Sequence, residues 1–174
     1  MGSHTLIELL NANYEVVCLD NCCNSVKNEH ETVPESIKRV EQITKKKVLK
    51  FCQIDLLDDG ALDKLFRTYA FDGVIHFAGL KAVGESCQIP LTYYQANVNG
   101  TLNLLITMQK YNVKKIIFSS SCTVYGNPEY LPVNEEHSTG RNITNPYGRT
   151  KFVIEEIMKD NSLADKRFGI ISLR

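Results

Sequence analysis

Two short stretches of the sequence carry side chains whose types and spacing suit proton transfer. Tyr147 and Lys151 are four residues apart, so on a helix the phenol and the ammonium lie on the same face. A neighbouring cation favours the ionised form of a phenol, which allows such a tyrosine to act as a base near neutral pH. Upstream, residues 119–121 are three consecutive serines. Taken alone, such a pair is far more often a solvent-facing lysine beside a half-buried tyrosine than a catalytic pair, so the surrounding elements must decide.

The elements around these stretches alternate between strands and helices. Short apolar runs predict strands at 14–20, 48–55, 74–78, 115–119 and 168–173. Apolar residues at helical spacing predict helices that end near 11–13, begin at Pro34, and span 58–69, 90–111 and 147–163. A polar loop is predicted at 21–33. This alternation predicts an α/β protein with a mostly parallel, doubly wound sheet that helices cover on both faces.

Apolar stripes predict which helix faces are buried. These stripes are Ile37, Val40 and Ile43 in the helix from Pro34, and Leu102, Leu105, Ile106 and Met108 in the helix 90–111.

Composition excludes several classes of function. The 174 residues are 43% apolar and 23% charged with a net charge of zero, which predicts one ordinary globular domain and no nucleic-acid or membrane partner. The six cysteines lack the paired spacing of a zinc site, so we expect reduced thiols, no metal and a cytoplasmic location. No apolar run reaches the length of a transmembrane helix.

Small and acidic residues follow the predicted strands, where ligands bind in open parallel sheets. Asp20 ends the strand 14–20, and an acid there can bind ribose hydroxyls and favour NAD over NADP. A plain strand-terminating aspartate is an equal alternative. Gly2, just inside the first helix, fits the last glycine of a phosphate-binding Gly-x-x-Gly-x-x-Gly turn. Asp55 and Gly79 lie at the ends of two further strands.

Several blocks, in this order, resemble the extended short-chain dehydrogenase/reductase superfamily and, within it, the UDP-sugar 4-epimerases. The blocks are residues 2–5, 19–21, 76–86, 99–101, 118–128 and 145–151. Related sugar-nucleotide dehydratases and decarboxylases share the Tyr-x-x-x-Lys, whereas the block 76–86 resembles the epimerases specifically. The resemblance implies a Rossmann-like NAD-binding domain, and it makes NAD the expected cofactor.

The resemblance also implies roles for individual residues. Tyr147 would be the acid/base at the sugar 4-hydroxyl, Ser121 would hydrogen-bond that oxygen, and Lys151 would hold the nicotinamide ribose and favour the ionised tyrosine. The implied substrate contacts are Lys81, Ser121, Thr123 and Tyr147. The implied cofactor contacts are Gly2, Asp20, Asn21, Asn24, Ser25, Asp55, Leu56, Phe77, Ala78, Gly79, Lys81, Asn97, Tyr147 and Lys151.

The reaction that the resemblance implies is a redox-neutral isomerisation in galactose metabolism. Hydride would pass from C4 of a UDP-sugar to NAD as Tyr147 takes the hydroxyl proton, and would return to the opposite face of a 4-keto intermediate. UDP-glucose and UDP-galactose are the expected substrates, with the N-acetylated pair left open, and the expected assembly is a homodimer.

The sequence departs from the family pattern in places. Cys122 stands where alanine is usual, Ala96 where some members have a cofactor-contacting asparagine, and Arg149-Thr150 where Lys-Ser is commoner.

At the ends, we expect residues 1–174 to be a partial Rossmann domain that lacks its first strand and the C-terminal substrate domain. In the strand order 3-2-1-4-5-6 that missing strand is central, so the strands at Tyr14 and Val74 would each keep an unpaired edge. An inactive fragment or truncated isoform, and a sugar-nucleotide dehydratase, remain alternatives.

Overall fold

The structure, a computed structural model, describes residues 1–26 and 31–174. The predicted loop 21–33 therefore lies in part, at 27–30, outside the described residues. The chain forms two compact units, Met1–Asp55 and Leu56–Arg174.

The first unit consists of two helices and a two-stranded parallel sheet. Its elements are α1 (Gly2–Asn11), β1 (Val17–Asp20), α2 (Glu35–Thr44) and β2 (Lys50–Gln53). In the sheet, Val17 is opposite Lys50 and Asp20 is opposite Gln53, so both strands end at the same edge. The buried core is made of Leu6 and Leu10 from α1 and Ile37 and Val40 from α2.

One predicted core position in this unit is wrong. Ile43 was expected on the buried face of α2, but its side chain is 65% exposed. Three residues turn a helix through about 300°, so each step of three falls about 60° short of a full turn. Ile37 and Val40 both remain on the buried face, whereas a second step carries Ile43 to the edge of that face.

The second unit consists of a three-stranded parallel sheet with its helices. Its elements are α3 (Asp59–Thr68), β3 (Val74–His76), α4 (Val83–Gln88), α5 (Pro90–Tyr93), a π-helix (Tyr94–Asn99), α6 (Gly100–Lys110), β4 (Lys115–Ser119), a 3₁₀-helix (Cys122–Tyr125), α7 (Pro146–Ala164) and β5 (Gly169–Leu173). The strand order is β3-β4-β5, with His76 opposite Phe118 and Ser119 opposite Leu173. These pairings confirm the α/β class with parallel strands.

The helix predicted at 90–111 is a continuous helical run with a π segment in its middle. Its predicted buried stripe is wrong at Ile106, which is 61% exposed, whereas Leu104, Leu105 and Met108 are buried. Ile106 follows Leu105 directly, so its side chain points about 100° around the helix from the buried row. Short helices at 83–88 and 122–125 were not predicted from the sequence. Across the described residues, no helix combines the length and the apolar character needed to cross a membrane.

Candidate active site

The N-terminus of α7 fixes the position of the tyrosine–lysine pair. Asn145 precedes the helix, and its Oδ1 accepts a hydrogen bond from the Gly148 N–H at 2.8 Å. Pro146 follows in the first helical turn, where its missing N–H has no helical partner to lose. Tyr147 therefore lies in the first turn and Lys151 one turn further on, both with buried side chains.

Lys151 links α7 to the end of β4. Its ammonium donates a hydrogen bond to the Ser119 carbonyl at 2.8 Å. The same nitrogen lies 4.7 Å from the ring centroid of Phe118 and 5.9 Å from that of Tyr147. The side chain is only 5% exposed, and this burial lowers the pKa of Lys151 to about 8. Its charge therefore changes close to physiological pH.

The serine run continues beyond β4 into the 3₁₀-helix, where Ser121 occupies the N-terminal capping position. The Ser121 Oγ accepts hydrogen bonds from the Thr123 N–H at 3.2 Å and from the Thr123 hydroxyl at 3.0 Å. Because Ser121 accepts both, its own hydroxyl proton can be directed to a further oxygen. The structure thus brings together Ser121 and Thr123, two residues that the sequence assigned to the substrate.

Gly148 permits α7 to approach the 3₁₀-helix closely. A Cβ at this position would lie 3.1 Å from the Thr123 carbonyl oxygen and 2.9 Å from the Ile143 side chain. Such contacts are tighter than packed side chains normally make, so a larger residue at 148 would push these neighbours apart. The first turn of α7 and the Thr123 backbone are held together as a result.

The loop after β3 contains four of the predicted cofactor residues: Phe77, Ala78, Gly79 and Lys81. Gly79 has a φ of +146°, and a Cβ there would lie 2.9 Å from the Asn97 side-chain oxygen. Asn97 binds this loop at both backbone groups of Leu80, accepting from the Leu80 N–H at 2.8 Å and donating to the Leu80 carbonyl at 2.9 Å. Its amide nitrogen also donates to the Thr150 hydroxyl on α7 at 3.1 Å. Asn97 therefore joins the loop to the helix that bears Tyr147.

His76 is a buried titratable residue close to Lys151, and its role was not predicted from the sequence. The Thr101 hydroxyl donates to the Asn97 carbonyl at 2.6 Å, so its oxygen accepts the 2.9 Å hydrogen bond from His76 Nε2. Burial first, and the charge of Lys151 second, lower the pKa of His76 to about 3. The imidazole is therefore neutral with its proton on Nε2.

In the first unit, the ends of β1 and β2 carry a separate polar group. The Asp20 carboxylate accepts hydrogen bonds from the Cys22 N–H at 2.7 Å and from the Ser25 hydroxyl at 3.4 Å. The Asn21 side chain donates to Asp55 at 2.8 Å. Two exposed carboxylates at adjacent strand ends are acceptors for hydroxyl donors such as those of a ribose.

Three other predicted cofactor residues are not tied into these hydrogen-bond groups. Gly2 is the first residue of α1, and Asn24 is an exposed loop residue. Leu56 opens the second unit, where its carbonyl accepts from Asn103 at 3.1 Å.

The described part of the chain contains no cluster of three or more histidine, cysteine or acidic residues arranged for a metal ion. The sequence-based prediction also missed Glu155, a buried carboxylate on α7. Its signal was available in the spacing, because Glu155 follows Lys151 at the same interval of four residues that separates Lys151 from Tyr147.

Parallel strands joined by helices, together with a Tyr-x-x-x-Lys helix beside a serine run, define the class as a Rossmann-type short-chain dehydrogenase/reductase fold. The chain belongs to the NAD dependent epimerase/dehydratase family, whose model matches residues 1–174.

Individual relatives are similar over the full chain. It is 52% identical to the UDP-glucose 4-epimerase of Homo sapiens and 50% identical to that of Bacillus subtilis, covering 49% and 48% of those proteins. The solved UDP-glucose 4-epimerase of Bifidobacterium longum in complex with NAD+ and UDP has a TM-score of 0.89 and 48% identity, with 99% of this chain and 49% of that chain covered. The chain thus spans about half the length of the curated relatives that it matches.

Proposed function

We propose that this chain is the NAD-binding, proton-transferring part of a UDP-sugar 4-epimerase. The expected substrates are UDP-glucose and UDP-galactose, with the N-acetylated pair as a further possibility to test. The observation that carries the proposal is the buried Lys151 ammonium, held between the Ser119 carbonyl and the Tyr147 ring. The family match over residues 1–174 supports it.

Each unit, taken by itself, carries residues that suit a part of NAD. Asp20 and Asp55 offer carboxylate oxygens for ribose hydroxyls, and Gly79 gives the loop after β3 a conformation that side-chain-bearing residues rarely adopt. The first turn of α1 contains Gly2 and no acidic residue, which suits a phosphate group. When bound, NAD supplies the hydride acceptor and donor for the sugar C4.

The proton transfer is assigned to residues of the second unit. Tyr147 takes the proton of the sugar 4-hydroxyl and later returns it, and Ser121 donates a hydrogen bond to the same oxygen. Thr123 orients Ser121 through the two hydrogen bonds between them. Lys151 keeps a positive charge beside the tyrosine at neutral pH, because its pKa of about 8 lies above that value.

The remaining assignments are also proposals. Residues 1–174 would form one partial NAD-binding domain of a cytoplasmic enzyme of galactose metabolism. A homodimer is supported by apolar side chains on the outer face of α5 and α6, where Leu91 is 81% exposed and Ile106 is also largely exposed.

A chimera tests the proposal without requiring the 174 residues to be active alone. The matched stretch of the Homo sapiens relative would be replaced by this chain, and UDP-galactose turnover and bound nicotinamide would be measured. The proposal predicts turnover with inversion at C4 and a loss of at least about 100-fold in kcat for Tyr147→Phe within the chimera.

Other outcomes identify the alternatives. A product that lacks a hydroxyl would identify a dehydratase. A folded chimera with neither turnover nor nicotinamide would refute the proposal. If the chimera is active while the isolated chain is inert, the chain by itself is an inactive fragment of an epimerase.

A further inference from the structure

Helix α7 carries a third polar side chain on the face of Tyr147 and Lys151. Glu155 lies one turn beyond Lys151 and is buried. Its Oε1 accepts a hydrogen bond from the Ser120 hydroxyl. Neighbouring residues of the serine run therefore bind successive turns of α7, because the Ser119 carbonyl accepts from Lys151 and the Ser120 hydroxyl donates to Glu155. Two turns of the helix are thus fastened to the segment that leads into the capping serine.

Arg174 neutralises the Glu155 carboxylate. Its Nη2 donates to Oε2 at 2.7 Å and its Nε donates to Oε1 at 3.1 Å, while the guanidinium lies 5.4 Å from the centroid of the Tyr125 ring. The hydrogen bonds that Arg174 donates to Glu155, followed by the one that it donates to Tyr125, raise the pKa of Arg174, so it stays charged. A buried carboxylate without such a partner would be strongly destabilising.

Glu155 lies one helical turn from Lys151, so its pairing with Arg174 bears on the charge around the Lys151 ammonium. Residues four apart on a helix are neighbours, so an unpaired Glu155 carboxylate would stabilise the Lys151 ammonium and raise its pKa. The other titratable groups facing Lys151 are Tyr147, on the same helix, and His76 from β3. With Arg174 in place the carboxylate is balanced, and burial lowers the pKa of Lys151.

We propose that Ser120, Glu155 and Arg174 form a positioning triad for the proton-transfer group. Glu155 fixes the serine run through Ser120. Arg174 balances the Glu155 charge, which would otherwise stabilise the Lys151 ammonium. No member of the triad is assigned a contact with substrate, so all three act through Lys151 and the serine run. The inference rests on the proposed function, because the group that the triad positions is the one to which we assign proton transfer.

The charge-balancing role can be tested by titrating Lys151 by NMR in the full chain with labelled lysine side chains. The Lys151 signal is identified by its loss in Lys151→Met. Arg174→Gln leaves the carboxylate unbalanced and should raise the pKa of Lys151 by about one unit. Glu155→Gln leaves the guanidinium unbalanced and should lower the pKa by about the same amount. The double variant removes both charges and should return the pKa close to that of the parent.

These signs separate charge balance from a general loosening of the site. A purely structural role would shift the pKa of Lys151 in the same direction in both single variants. The shift would be larger in the double variant, because more contacts are lost. Unchanged titration of Lys151 in folded Arg174→Gln or Glu155→Gln would overturn the charge-balancing part of the proposal. Either single variant suffices if the other does not fold.

The role of the Ser120 hydroxyl is tested by amide hydrogen exchange. Ser120→Ala should speed exchange at the Thr123 and Val124 amides about tenfold, the equivalent of one lost hydrogen bond. The matched control is Ser162→Ala, because Ser162 also lies on α7 and donates to a backbone carbonyl, that of Phe168, at 3.1 Å. Equal exchange in the two variants would overturn the positioning role.

The readouts also separate this inference from the proposed function. Neither measurement involves NAD or a sugar nucleotide. If the variants change the pKa of Lys151 and the amide exchange rates as expected but the chimera is inactive, the triad is supported and only the assigned reaction is refuted. If the chimera is active and the variants leave the pKa of Lys151 and the amide exchange rates unchanged, the triad is refuted and the proposed function is supported.

Discussion

Replacing the buried Lys151 by methionine should remove a pH-dependent part of the folding free energy. In the folded chain, burial holds the pKa of Lys151 at about 8, compared with 10.5 for an ordinary lysine. Between these values the unfolded chain binds more protons than the folded chain, so stability rises with pH. The contribution is complete above about pH 10.5 and is lost as the pH falls through about 8.

The magnitude follows from the difference of the two pKa values. The pKa of an ordinary lysine, 10.5, and that of Lys151, about 8, differ by about 2.5. At about 1.4 kcal/mol per unit it corresponds to about 3 kcal/mol. The side chain is only 5% exposed, so solvent screening reduces this value little.

Urea denaturation of the parent and of Lys151→Met, at intervals between about pH 7 and about pH 11, measures the effect. In the difference between the two proteins, the titrations of Cys18, with a pKa of about 11, and of Tyr93, with a pKa of about 12, cancel. Lys159→Met is the matched control, since Lys159 lies on the same helix with a side chain that is 66% exposed.

The expected result is that the free energy of unfolding of the parent, minus that of Lys151→Met, rises with pH by about 3 kcal/mol. Lys159→Met should follow the parent over the whole range. A constant difference between the parent and Lys151→Met would refute the reasoning, because it would mean that folding does not desolvate the Lys151 ammonium.

Three further predictions concern the surroundings of the pair. Gly148→Ala should lower the free energy of unfolding, measured by urea titration, by about 1 to 3 kcal/mol, because its Cβ would overlap neighbouring atoms. At Gly60 the nearest atom to a Cβ is at 3.6 Å, so Gly60→Ala should raise the free energy of unfolding by up to about 1 kcal/mol. Alkylation at about pH 8, followed by mass spectrometry, should label the exposed Cys122 and spare Cys18, whose pKa burial raises to about 11; equal labelling of both would contradict this. Asn97→Ala should lower the free energy of unfolding by about 2 kcal/mol or more, because it leaves the Leu80 N–H and carbonyl in the loop after β3 without their partner. A decrease below about 0.5 kcal/mol would show that other contacts hold this loop.

The alternation of strands and helices was predictable because buried parallel strands are short apolar runs. Less predictable were the details that depend on helix phase. The π segment at Tyr94–Asn99 and the exposure of Ile43 and Ile106 follow from how each helix is rotated against its neighbours, and local periodicity determines that rotation only approximately.

The candidate site likewise combines features that are local in the sequence with features that depend on tertiary packing. Tyr147, Lys151 and Ser121 could be proposed as site residues because their spacing and family motif are local features of the sequence. Glu155 and Arg174 could not be paired from the sequence, since they are 19 positions apart and only the packing of α7 on β5 brings them together. The use of Asn97 as a link between loop and helix is likewise a tertiary feature.

The central claim, that Tyr147 is the acid/base of an NAD-dependent sugar-nucleotide epimerase, is tested most directly by the kinetics of Tyr147→Phe in the chimera. The change removes one hydroxyl and retains the ring that packs near Lys151. We predict that kcat for UDP-galactose falls at least about 100-fold while bound nicotinamide is retained. A variant that keeps kcat within about twofold of the parent chimera would contradict the assignment.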